Sequence, residues 1–353
     1  MESRVVEHPG RRRRARRGRL LLAALTVSLA PLVGASDGPQ RALWMSDATL
    51  ESADAIRRTI ASAAAHGYST VVAPLSLTPE PSPAGFDGMA ATLKEAATRQ
   101  LRVFAWLDVV RAAGVGELPA SRDHVLYQHP EWLMVPRELA VEMLRVDLRS
   151  PEYTGRLSRW TRAHAARVNG VYVSPLHPDA IAYLAERVSS VLSRYRVDGV
   201  HLGAVRFPGI DFDYGRRALD LFREDVRRGL GAAERVRMDR IEAIDPFAYP
   251  EEFPEQWRRF RHTRLTALVT RLRSAIHAAH PGAIVSAGVT LEADLALRDH
   301  LQDWRAWMEN RLIDAVARLD ETSGAMVFSY DPLLRPLAPA LTTGRVTAAA
   351  GAP

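Results

Sequence analysis

Carboxylates placed just beyond short apolar runs are the residues of this chain best suited to acid–base chemistry. Asp108 lies near the close of the run Arg102–Val110, Asp211 and Asp213 follow Val197–Val205, and Glu292 and Asp294 follow Ile284–Thr290. In folds built of parallel strands such positions gather at one end of the sheet, where they can act on one ligand as general acid, general base or nucleophile. His201 lies within one of these runs and could relay a proton, and Arg206 beyond it could clamp a carboxylate or a hydroxyl. Trp106 and Trp132 offer flat apolar faces for a ring to stack on. Each residue also has a plainer role open to it: Asp108, Glu292 and Asp294 as loop or helix caps, and Asp211 and Asp213 as solvated charges. His201 would be a hydrogen-bonded core residue, Arg206 an ion pair with the Asp211 loop, and the tryptophans core packing.

Other chemistries are excluded or unsupported. The sequence has no cysteine, so disulfides, thiolate metal sites and cysteine nucleophiles are out. No glycine-rich phosphate loop follows any apolar run, which leaves nucleotide binding without support. His277 and His280 have no carboxylates at metal-ligand spacing and are expected on a solvated helix face, so neither metal nor cofactor is expected. The net charge of +6 suggests a polyanion partner until it is located. Residues 1–35 hold eight arginines and two glutamates, so they carry all of it and the remainder is neutral. Nucleic acid is therefore not an expected partner.

Candidate strands Ala42–Ser46, Thr70–Ser76, Arg102–Val110, Val197–Val205, Ile284–Thr290, Ile313–Leu319 and Ala325–Tyr330 alternate with helical patterns such as Ala53–His66 and Asp87–Arg99. That alternation predicts parallel βα units, as a barrel or a doubly wound sheet. Residues 112–179 and 209–254 do not fit the repeat and read as insertions, the first with short strands of its own and the second preceding a long helix over about Glu255 to Ala279. Only Asp320–Gly324 separates the last two runs, too short for a parallel crossover of about a dozen residues. They pair as a hairpin, or a βα unit is missing. At the front, a basic stretch running into the apolar segment Leu20–Ala35 reads as a signal peptide cleaved after residue 35 and leaving no stable membrane span, with an uncleaved anchor as the disfavoured alternative because its 16 apolar residues fall short of the roughly 20 needed to span a bilayer. The Pro- and Ala-rich residues 335–353 read as a disordered tail.

The ordered motifs Ala42-Leu-Trp-Met45, Val103-Phe-Ala-Trp-Leu107, His129-Pro-Glu-Trp-Leu133, Ser174-Pro-Leu-His-Pro178, Arg194–Leu202 with Arg206-Phe-Pro208, Leu301-Gln-Asp-Trp304 with Trp307, Ile313-Asp-Ala-Val316 and Val327-Phe-Ser-Tyr330 resemble the glycosyl hydrolase-like 10 domain proteins of bacterial envelopes. The resemblance covers nearly all of residues 41–334. It implies an α/β fold, a (β/α)8-like TIM barrel, over residues 36–334, and glycan cleavage, with peptidoglycan strands as one substrate class. Two departures stand out. Where the resemblance calls for His-Leu-Asp or His-Phe-Asp at a strand end, this chain has Gly203. Where it calls for Pro-Met-x-Tyr and a further βα unit, this chain has Arg318–Gly324, so the barrel is expected to be incomplete near its C-terminus.

Glycoside hydrolysis uses two carboxylates facing the scissile bond. With Gly203 in place of the family carboxylate, Asp108 becomes the first substitute, with Asp211, Asp213 or Glu292 as its partner. Trp106, Trp132, His201, Arg206 and Asp303 are the candidate substrate contacts, although Asp303 in Gln302-Asp-Trp-Arg-Ala-Trp307 also suits helix packing. Asp198 enters its strand at the opposite end and is assigned to structure. Two functions follow: an exported carboxylate glycosidase acting on envelope glycan in the periplasm, envelope or exterior, or a glycan-binding pseudoenzyme that kept the cleft and lost the chemistry. A damaged barrel with an open sheet edge is the third outcome considered.

Overall fold

The computed structural model describes residues 40–77, 85–116, 118–203, 205–320 and 324–330. The expectations for the leader and the tail lie outside them. Among the described residues nine strands run in chain order: β1 (Gln40–Trp44), β2 (Thr70–Pro74), β3 (Arg102–Leu107), β4 (Arg111–Gly114), β5 (Gly170–Tyr172), β6 (Gly199–Leu202), β7 (Ile284–Gly288), β8 (Ala315–Asp320) and β9 (Ala325–Ser329). Seven of them, in the order β1-β2-β3-β6-β7-β8-β9, close a barrel, and β4 pairs with β5 in a separate two-stranded sheet.

Pairing is parallel from β1 round to β8. The last strand is antiparallel to both its neighbours: β9 pairs with β8 from Val316↔Ser329 to Asp320↔Ala325, and with β1 from Gln40↔Phe328 to Leu43↔Ala325. The hairpin required by the short Asp320–Gly324 connection therefore also completes the barrel. It removes the open edge that a missing βα unit would have left. The result is an incomplete (β/α) barrel of seven strands, one of them reversed.

Seven strands enclose a narrower interior than eight, and the inward side chains fit it by pairing large with small. Inside are Ala42, Val72, Phe104, Ala315, Ala317, Met326 and Phe328, with Trp44 and Trp106 towards the top. Strand β6 turns Gly199, His201 and Gly203 inwards by its period of two. Phe104 stands opposite Gly199, and a Cβ there would lie 2.7 Å from the Phe104 ring, so this glycine is required by space.

Helices pack outside the barrel on one large apolar core. Helix Ala53–Ala65 starts where Ser52 accepts from Ala55 N at 3.4 Å, and helix Gly88–Ala97 where Asp87 accepts from Ala90 N at 2.9 Å. Helices Pro178–Leu192 and Pro254–Ala279 pack against each other. His277 and His280 do not face solvent as expected. His277 Nε2 lies 3.2 Å from Ala283 O in the turn before β7, and His280 Nε2 lies within 2.9 Å of Leu192 O and Tyr195 O at and just beyond the end of helix Pro178–Leu192, so each imidazole meets backbone carbonyls.

The first insertion contributes β4, β5 and helix Pro151–Ala163, and its Leu144–Leu148 segment forms no strand. The second is helical, with Arg216–Arg227, Ala232–Glu242 and Ala248–Glu252. Among the described residues no helix is long and apolar enough to cross a membrane.

Candidate functional site

The C-terminal ends of β1, β2 and β3 converge beneath the first insertion and bound a cleft of about 300 Å3. Trp44, Asp47, Trp106, Asp108, Arg111 and Arg187 line it. Trp44 and Trp106 meet edge to face with ring centroids 6.3 Å apart, and the buried Trp44 Nε1 has no hydrogen-bond partner. Strand alternation turns Trp106 inwards, and Asp108, two residues on, is placed at the rim.

Asp108 is held at both oxygens. Trp106 Nε1 donates to Oδ1 at 3.0 Å, and Arg111 forms an ion pair with Oδ2. The same carboxylate fills the space over Gly203: a Cβ at residue 203 would collide with Asp108 Oδ1 and stand 3.1 Å from Trp106 Nε1 and 3.2 Å from Leu107 O. Loss of a side chain at 203 and the presence of Asp108 are thus one packing arrangement. An aspartate or even an alanine at 203 requires Asp108 to move.

Below the rim, His201 is 1% exposed. Its Nδ1 lies 3.0 Å from Ser286 Oγ, its ring centroid 4.6 Å from that of Trp106, and its Nε2 has no partner. Burial lowers its pKa to about 3 despite the opposing charge of Asp108, so the imidazole is neutral at physiological pH. Arg206, half-buried, donates to Thr290 Oγ1 at 3.1 Å. It makes no ion pair with Asp211, which Arg167 engages at 2.9 Å.

The remaining candidates stand apart from the cleft-lining residues. Asp213 is 1% exposed, and its Oδ1 accepts from Val135 N and Gly215 N, both at 2.8 Å. Burial raises its pKa to about 6, opposed by those bonds, by Ser174 and by the charge of Arg261. Glu292 is exposed at the N-cap position of helix Ala293–His300 without making a side-chain cap bond, and Asp294 is exposed in its first turn. Asp303 caps helix Trp304–Glu309 through Ala306 N at 3.3 Å and lies 3.2 Å from His262 Nε2. Trp132 is 8% exposed and stacks on His129 at 3.7 Å between centroids.

Sequence reasoning singled out Trp106 and Asp108 but missed Asp47, Arg111 and Arg187 as companions. A signal existed for Asp47, which follows β1 just as Asp108 follows β3. Arg187 had none. It reaches the cleft from helix Pro178–Leu192 and holds Leu77 O through Nε at 2.9 Å and Nη2 at 2.6 Å.

Comparison with protein-family profiles matches residues 61–319 to the family described as Glycosyl hydrolase-like 10. The chain belongs to the glycosyl hydrolase-like 10 family. No curated protein matches this family member's sequence. Among solved structures, the glycosyl hydrolase-like 10 chain is similar to the PgaB (BpsB) glycoside hydrolase domain from Bordetella bronchiseptica, with 14% identity, a TM-score of 0.44, and coverage of 79% of this chain and 74% of that one. It is also similar to a cold-adapted β-galactosidase from Rahnella sp. R3, with 16% identity, a TM-score of 0.47, and coverage of 80% of this chain and 39% of that one. A third is the catalytic domain of β-amylase from Paenibacillus polymyxa, with 10% identity, a TM-score of 0.45, and coverage of 70% and 65%. The chain spans about two-fifths of the β-galactosidase and just under two-thirds of the β-amylase domain.

Proposed function

We propose that this glycosyl hydrolase-like 10 protein is exported and binds glycan strands of the cell envelope, such as peptidoglycan, without hydrolysing them. The observation that carries this reading is the state of Asp108. It occupies the volume over Gly203 and accepts from Trp106 and Arg111 at once, so it is arranged as an acceptor and not as a proton donor. A glycosidase acid needs an environment that favours its protonated form. Asp213, whose pKa burial pushes up to about 6, is held by the backbone donors Val135 N and Gly215 N and does not line the cleft.

The aromatic pair Trp44 and Trp106 with the Asp108–Arg111 pair gives what sugar binding needs, flat apolar faces beside fixed donors and acceptors. The basic and apolar leader supports export. One observation favours a hydrolase: Asp47 and Asp108 both line the cleft. The deciding measurement is reducing-end release from peptide-stripped peptidoglycan alongside co-sedimentation with it. We expect binding without release, and binding weakened in Trp106→Ala. Turnover by the unmodified protein that disappears in Asp108→Asn would overturn the proposal and make Asp108 a relocated catalytic carboxylate.

A further inference from the structure

We propose that Asp213, which lies outside the cleft, is a positioning residue for it: its ionised carboxylate holds the strand ladder that carries Arg111, and with it the geometry of Trp106, Asp108 and Arg111. The inference rests on the glycan-binding reading and concerns how that site is kept in shape. The ladder can be followed bond by bond. Asp213 Oδ1 accepts from Val135 N and Gly215 N, both at 2.8 Å, and Ser174, whose Oγ accepts from Leu176 N at 3.2 Å, gives its own hydroxyl proton to the same carboxylate. Residues 132–135 pair with β5 and its continuation: Met134 N donates to Tyr172 O at 2.8 Å, Ser174 N donates to Trp132 O at 2.7 Å, and Leu133 bridges Val173. On its other edge β5 holds β4, with Tyr172 opposite Arg111 and Val173 N donating to Val110 O at 2.7 Å. Asp108 stands two residues before Val110, and Arg111 pairs with it. Val109, Arg111 and Val173 all line the cleft. Asp213 therefore grips both sides of the ladder, at Val135 and at Ser174, and Ser174 adjoins a cleft wall. From outside, Arg261 of helix Pro254–Ala279 anchors the Asp213 loop by donating to Ile210 O at 2.6 Å and to Phe212 O.

A neutral side chain would fill the same space without the cost of a buried charge, a cost that pushes the Asp213 pKa up to about 6. Above that value the carboxylate is ionised all the same, and a hydrogen bond to an ionised acceptor is roughly twice as strong as one to a neutral acceptor. The groups that face Asp213 do not titrate in its place. Tyr153 of helix Pro151–Ala163 is pushed up by burial and then by the charge of Asp213, with Arg216 lowering it and Glu131 raising it, so it keeps its proton. Arg261, lowered by burial to about 10, keeps its charge. Ser174 has no ionisation in this range. Protonation of Asp213 thus weakens its bonds to Val135, Gly215 and Ser174 together, and loosens the ladder that sets Arg111 against Asp108.

Two readouts on the full chain, followed from about pH 7.5 to about pH 5, test this. The first is the NMR resonance of the Trp106 indole N–H, which donates to Asp108 Oδ1 and is assigned by its loss in Trp106→Phe. His201 beside it has a pKa of about 3 and stays neutral throughout. The second is affinity for peptide-stripped peptidoglycan strands. We expect the resonance to move with a midpoint at about pH 6, and affinity to fall about fivefold over the same step. Asp213→Asn keeps an acceptor for both backbone donors but has no charge. It should hold both readouts at their acid values across the range while melting no lower than the unmodified protein at pH 7.5, a combination that a purely structural role does not give. In Ser174→Ala the midpoint should rise, because the Ser174 hydroxyl favours the ionised form. A resonance or an affinity that ignores pH in the unmodified protein, a pH response undiminished in Asp213→Asn, or an unmoved midpoint in Ser174→Ala would overturn the positioning role. The last of these does not depend on Asp213→Asn folding. A resonance that moves as expected in a protein that binds no strand at any pH would instead overturn the glycan reading and leave the link from Asp213 to Asp108 standing.

Discussion

Gly203 and Asp108 occupy what is in effect one side chain's worth of space, and this coupling is measurable. Gly203 does not adopt a left-handed conformation, so a substitution there meets a packing obstacle and not a backbone one. Gly203→Ala is expected to cost about 1–3 kcal/mol through overpacking. In an Asp108→Ala background the cost should shrink, though Trp106 Nε1 and Leu107 O remain close. Urea denaturation of the two single variants and the double variant gives the coupling energy, and strict additivity would refute the shared volume. Sequence showed the missing carboxylate at 203 and named Asp108 as its substitute. It could not show that Asp108 is clamped by its neighbours Trp106 and Arg111, because which oxygen meets which donor depends on the loop conformation after β3.

Two elements at the bottom of the barrel repeat one device. Asp198, just before β6, accepts from Val103 N of β3 at 2.8 Å, and Asp314, just before β8, accepts from Val285 N of β7 at 2.8 Å. Each carboxylate satisfies a backbone donor of the neighbouring strand and fixes the register of a parallel pair. Replacing either by alanine should lower stability by about 1–3 kcal/mol by leaving a donor unsatisfied. Equilibrium denaturation checks this, and a loss below about 0.5 kcal/mol would mean that water replaces the carboxylate. The assignment of Asp198 to structure was readable because the strand direction followed from the parallel pattern. Strand ends were read too long: among its described residues the run Val197–Val205 contains only Gly199–Leu202 as strand, since the buried apolar residues Val205 and Phe207 continue into the loop beyond it. That insertion read as irregular because arginines and acidic residues crowd its surface positions. Helix Arg216–Arg227 nonetheless buries Ala218, Leu219, Phe222 and Val226 on one face.

For the molecule as a whole, buried titrating groups set how stability responds to acid. His201 and His177 have pKa values lowered by burial to about 3 and about 4, so the stability they confer is full above the ordinary histidine value and is lost as pH falls towards those figures. Asp213, raised to about 6, works in the opposite direction: its folded form prefers the proton, and it returns stability as pH falls from about 6 towards its ordinary value of 3.8. Two histidines against one aspartate predict a net loss of about 3 kcal/mol between pH 7 and pH 4.5. Denaturation midpoints at the two pH values test this: His201→Gln should flatten the dependence and Asp213→Asn should steepen it, while a protein more stable at pH 4.5 would contradict the assignment. The barrel architecture was legible from the alternation of strands and helices, and the terminal hairpin from a connection too short to cross over. That the hairpin would also seal the barrel was not, because closure depends on β9 finding β1 across the whole length of the chain. Its reversed direction has a practical corollary. A final parallel strand would have delivered the chain to the rim, among the cleft residues. Because β9 runs the other way, Ser329 finishes at the base, the end from which Gln40 sets out. Both ends of the barrel segment therefore share one pole, and a surface, tag or fused domain attached through either would leave the opposite pole unobstructed for a long polymer to thread past.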